Sequence, residues 1–92
     1  MDPIAQAVSK IIKEQQAIIG PVALAQAKKV TGLVIGEGDD IKITGNKKQI
    51  LENLVKQFEN LFGKASVQVC KEAFGPFSDK IPAAEIPDIL KN

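Results

Sequence analysis

Apolar positions recur along this chain in blocks of different period, and the breaks between blocks fall at glycine and proline. Ile4, Val8, Ile11, Ile12, Ile18 and Ile19 keep to one face at helical spacing, with Lys10, Lys13 and Glu14 opposite. Asp2-Pro3 opens this first helix, because the carboxylate can accept from free first-turn amides and proline supplies a helical φ where no donor is needed. Gly20 ends it and Pro21 starts a second, over about Pro21 to Val30, rich in small residues and with Lys28 and Lys29 in its last turn before Gly32. The period then drops to that of strands. Leu33-Val34-Ile35 and Ile41-Lys42-Ile43-Thr44 flank a Gly/Asp-rich cluster, which predicts a short hairpin over 33–45 that must lie on the helices to persist. Asn46 and Gln49 form a capping box for a third helix, whose stripe runs Ile50, Leu51, Leu54, Val55, Phe58, Leu61, Phe62. Gly63 closes it, and Ala65 to Phe74 predicts a fourth helix with Val67, Cys70, Ala73 and Phe74 inward and Gly75-Pro76 as a stop. In residues 76–92, Pro82 and Pro87 allow only turns or short helical pieces, docked through Ile81, Ile86, Ile89 and Leu90.

Sliding the chain on itself by 43 residues lays 6–32 on 49–75, with Gln6/Gln49, Lys13/Lys56, Gly20/Gly63, Lys28/Lys71 and Gly32/Gly75 identical and ten further apolar pairs. Either the halves are an internal duplication, or any two amphipathic helix pairs aligned at their glycines look this way. Both readings give one architecture. It is mainly α: a single domain with a four-helix core built from two helix-Gly-helix units (1–32 and 46–75), joined by the hairpin and followed by a C-terminal tail.

The first corner, IIGPVALAQAKK at 18–29, resembles the Ile-Gly-Pro-x-Ala stretch and basic-ended helix of small helical modules attached to bacterial signalling proteins such as Ser/Thr kinases. The resemblance covers about a dozen residues. Lys28 and Lys29 stand where such modules tend to carry Arg. It implies a regulatory or interaction module without catalysis.

Composition narrows the chemistry. At 92 residues, 45% apolar, 25% charged and net +1, the chain is ordinary globular material with no polyionic character. It has no His, Trp, Tyr or Arg, so the usual physiological-pH acid/base, the commonest metal ligand and the fork-shaped phosphate reader are missing. Neither half is basic, and the helix after the Gly20-Pro21 corner offers a DNA groove only Gln26, Lys28 and Lys29, which argues against nucleic acid as a partner. No cofactor or metal motif is present. The acidic turn Glu37, Asp39, Asp40 lacks the ligand pattern of a calcium loop and predicts a polar hairpin tip. Cys70, without a histidine anywhere in the chain, predicts a buried structural thiol. No run approaches a membrane span and the first residues lack the pattern of a signal peptide, so the expected location is cytoplasmic.

Two candidate sites remain. Lys47 and Lys48 oppose the dipole at the start of the third helix, where with Asn46 they frame an anion site, although TGNKK is not a P-loop. The apolar stripes exceed what so small a core needs, which predicts an interaction surface involving Phe58, Phe62, Ile86, Ile89 and Leu90. A tail folded back would absorb that surplus, and so would a homodimer through the first and third helices. The function expected is thus a non-catalytic protein-interaction or regulatory module, with small-ligand or anion binding at the start of the third helix as one alternative and a minor DNA-binding or enzyme role as another.

Overall fold

The four α-helices of the described residues start or stop where a backbone group finds a local partner. In the computed structural model, which describes residues 2–36 and 40–91, these are α1 (Pro3–Ile19), α2 (Val22–Ala27), α3 (Lys47–Phe62) and α4 (Lys64–Phe74). Strands β1 (Leu33–Ile35) and β2 (Ile41–Ile43) form an antiparallel hairpin between α2 and α3. The Asp2 carboxylate accepts from the Ile4 amide at 3.1 Å and the Asn46 side chain accepts from the Gln49 amide at 2.9 Å, so both long helices are capped as expected. The capping box of α3 is only half made. Gln49 turns its own amide toward Asn53, at 3.0 Å, and not back to Asn46.

The fold is mainly α with a four-helix core, as the pattern predicts. Ile4, Val8 and Ile11 of α1 meet Leu51, Leu54, Val55 and Phe58 of α3 and Cys70, Ala73 and Phe74 of α4 in one buried cluster. Within the units α1 packs on α2 and α3 on α4, and across them α1 packs on α4 and α3 on α2, so that two units unable to cover their own apolar faces share a core. The hairpin pairs Leu33 with Ile43, Val34 with Lys42 and Ile35 with Ile41. It lies against α1, burying Leu33 and Ile41 and leaving Val34 exposed.

Three expectations are corrected. Helix α2 stops at Ala27 and not near Val30, because the amides of Lys29 and Val30 bond back three residues, to Gln26 and Ala27, and this tighter turn carries Val30 into the core at 6% exposure. Gly75-Pro76 is not a full stop, since Gly75 stays right-handed (φ −45°) and the chain winds on as a 3-10 helix through Lys80. Gly32 and Gly75 are consequently not equivalent, Gly32 having φ +87°. Beyond, Pro82 and Pro87 each introduce a short 3-10 turn, Ala83–Glu85 and Asp88–Leu90, and the tail folds back onto α3 and α4.

Candidate functional site

The two glycine corners are built alike, hydrogen bond by hydrogen bond. Gly20 has φ 76° and ψ −156°, and Gly63 has φ 81° and ψ −171°. The Gly20 amide donates to Gln16 and the Gly63 amide to Glu59, at 2.9 and 2.8 Å; the amides of Ala23 and Ser66 then donate to the two glycine carbonyls, each at 3.1 Å. These pairs are all 43 residues apart. Positive φ with ψ near 180° is backbone essentially confined to glycine, and differs from the left-handed helical cap usual at a helix end.

Just before each corner stand two bulky apolar residues, Ile18-Ile19 and Leu61-Phe62. Ile18 is 63% exposed, Leu61 51% and Phe62 38%, and Val22, just past the first corner, is 45% exposed. Ile18, Ile19, Phe62, Ala65 and Val69 line a hollow of about 190 Å³ between α1 and α4. A second hollow of about 260 Å³ continues it along the same two helices, sharing Ile18 and Val69 and ending at Lys10, Glu14 and Glu72.

Gln15 forms part of this groove's wall, 1% exposed. Its amide donates to the Ser66 carbonyl at 3.0 Å and to the Cys70 thiol at 3.4 Å, tying α1 to α4. Burial pushes the Cys70 pKa from 9.0 to about 11, against the smaller opposing pull of the Gln15 hydrogen bond. The thiol is therefore a packed structural group, as its apolar position predicts. At the corresponding place in the other unit stand Phe58, Ala23 and Ala27, all buried and apolar.

Four of the five residues predicted for an interaction surface are not exposed. Phe58 is fully buried, and Ile86 and Leu90 are 9% and 5% exposed in the core, with Ile89 half-buried against it. The returning tail covers what the periodicity left over. Only Phe62 of the five is exposed. Ile18 and Leu61, which periodicity assigns to the interior, join it at the surface, as does Val22. Ile18 shares a face with the fully buried Ile11, yet seven residues of helix carry it about 10 Å farther along the axis, past the side chains that cover Ile11.

At the start of α3, Asn46 spends its side-chain oxygen on the Gln49 amide and Lys47 pairs with Asp2 at 3.0 Å. Burial alone would raise the Asp2 pKa, but hydrogen bonds from Lys47 and the Ile4 amide and the Lys47 charge outweigh it, and the carboxyl sits below its ordinary value. The hydrogen bond from Lys47 to Asp2 raises the lysine correspondingly, Glu85 adding a smaller pull. A shallow depression of about 360 Å³, lined by Gly45, Asn46, Lys47, Lys48, Ala84 and Glu85, lies here. The Lys47 charge at this helix start is thus met within the chain, while Lys48 is exposed.

Of the acidic turn, Glu37 and Asp39 lie outside the described residues, and Asp40 is exposed. Among the described residues no three His, Cys, Asp or Glu side chains cluster to hold a metal, and no helix is long and apolar enough to cross a membrane. No protein-family model, curated protein or solved structure matches this chain.

Proposed function

We propose that the chain is a non-catalytic protein-interaction module that binds through the apolar surface around its two glycine corners, and that it works in the cytoplasm as a regulatory element, in keeping with the resemblance of residues 18–29 to modules of bacterial signalling proteins. One observation carries the reading: Ile18, Val22, Leu61 and Phe62 stay between 38% and 63% exposed in a chain whose other long stripes are covered. Leaving bulky aliphatic and aromatic groups in water forfeits about 25 cal/mol per Å² of apolar area, so such a patch marks a surface that is covered in use. Composition supports the absence of catalysis, because no histidine or arginine is available and the one thiol is packed away. The start of α3 is the weaker candidate. Asp2 pairs with Lys47 there and Glu85 lies alongside, placing carboxylates where an anion would sit.

Site-specific photo-crosslinking in living cells tests this. A crosslinker at position 18 or 61 is expected to trap a discrete protein, either a second copy or another chain, while one at Lys56, whose side chain is 54% exposed on the outer face of α3, traps none. Equal, diffuse labelling from all three positions overturns the proposal.

A further inference from the structure

The two hollows between α1 and α4 form one groove with unlike ends. Ile19 and Phe62 border the apolar end at the corners. At the other end Lys10 is already committed to Glu14 at 2.8 Å, which leaves the exposed Glu72 to set the sign of the charge there. From Ile19 back to Lys10 the α1 wall is about 13 Å long, two and a half turns of helix.

Resting on the interaction reading above, we infer that the occupant of this groove is a single amphipathic helix of a partner protein, with apolar anchors at i, i+3, i+4 and i+7 over the corner end and a basic residue at the end facing Glu72. Area and charge carry the choice. Ile18 and Phe62 are the exposed apolar side chains that line the groove, and with Val22 and Leu61 beside the corners they amount to a few hundred Å² of apolar surface, the size of the largest patch on a typical monomer, whereas a standard stable interface buries roughly 800 Å² on each partner. A second copy docked through these four side chains alone falls short of that. One helix laid in a groove needs only three or four anchors and about this length of wall. Glu72 supplies the orientation, since rim charges select partners more than they add affinity.

The test uses two synthetic helical peptides of about 18 residues that share Leu anchors at those positions and differ only in flanking Lys or Glu. Each is titrated into the full-length chain and followed by amide NMR shifts. The Lys-flanked peptide is expected to shift Ile18, Phe62 and Val69 and to bind about fivefold more tightly than the Glu-flanked one. Glu72→Lys reverses that order, and Ile18→Asp abolishes binding of both. The chain's net charge of +1 gives the basic peptide no general advantage. Equal affinities, or a preference that survives Glu72→Lys, overturn the inference. Light scattering separates the two levels of the argument. A concentration-dependent dimer that Ile18→Asp dissolves removes the helical occupant but leaves an interaction surface at the corners. Absence of peptide binding, of self-association and of a crosslink from position 18 removes both.

Discussion

Gln15 shows at the scale of one residue how position and chemistry part company. It occupies the slot after Ile11 and Ile12 on the apolar face, so periodicity places it inside, while its carboxamide demands partners there. It has them in the Ser66 carbonyl and the Cys70 thiol. Gln15→Ala removes both bonds and leaves a void, with an expected loss of about 1–3 kcal/mol by urea denaturation, whereas Gln15→Met keeps the volume and loses less than about 1 kcal/mol. A drop of equal size in both variants would assign the whole effect to the hydrogen bonds. Cys70 gives a pH signature. Its pKa is raised on folding to about 11 from 9.0, so the folded state holds the proton more tightly. Stability from this group is full below pH 9.0 and falls as the pH climbs toward about 11. Between pH 8 and pH 10.5 the wild type should lose about 2 kcal/mol more than Cys70→Ala, whose remaining pH dependence reports the other groups. Parallel losses would show that the thiol ionises as freely folded as unfolded.

At the scale of elements, the corner matters more than the helices it joins. Apart from its own chain neighbours, no heavy atom lies within 4 Å of where a Cβ would stand at Gly20 or Gly63, so a side chain there meets no tertiary clash and only the backbone conformation resists it. Gly20→Ala and Gly63→Ala should therefore each cost about 1–3 kcal/mol, and by similar amounts, because the two backbones are nearly the same. Denaturant midpoints of the two variants check this; a cost at one corner alone would mean that the shared geometry is not a shared requirement. The corner glycines are legible in the sequence, and the repeat at 43 residues draws attention to them. Their conformation is not, because a glycine after a helix suits a left-handed cap equally well. The early end of α2 has a similar cause. Propensity favours continuing through Lys28 and Lys29, and only the need to bury Val30 and begin β1 turns the chain.

For the molecule as a whole, the tail is part of the core. Ile81, Ile86 and Leu90 are at most 9% exposed and Pro87 is fully buried. At about 1.5–3 kcal/mol per fully buried aliphatic side chain, these contacts are comparable with the entire stability of a small domain. A chain ending at Gly75 is expected to lose its cooperative thermal transition and to self-associate through the exposed core. Leu90→Ala is the milder test, costing about 2–5 kcal/mol, while Ile18→Asp at the exposed corner, an acid in the last turn of α1, costs about 1 kcal/mol. Differential scanning calorimetry on the three proteins distinguishes a structural tail from a detachable cover, since a cover would leave the shortened chain folded.

The sequence by itself determined the number and order of the α-helices, the Asp2 and Asn46 N-caps, the hairpin and the place of the repeated corner, because each depends on the period of apolar residues and on backbone preferences that act within a few positions. It also pointed to Phe62 and to a buried Cys70. It did not determine which apolar residues remain in water. Ile11 and Ile18 are indistinguishable on a helical wheel, as are Phe58 and Phe62 by residue type, and what separates them is whether another element reaches that point along the axis. Covering Ile86 and Leu90 while leaving Ile18 and Leu61 bare was decided by where the tail returns and where the helices end, which are long-range facts that no local pattern encodes.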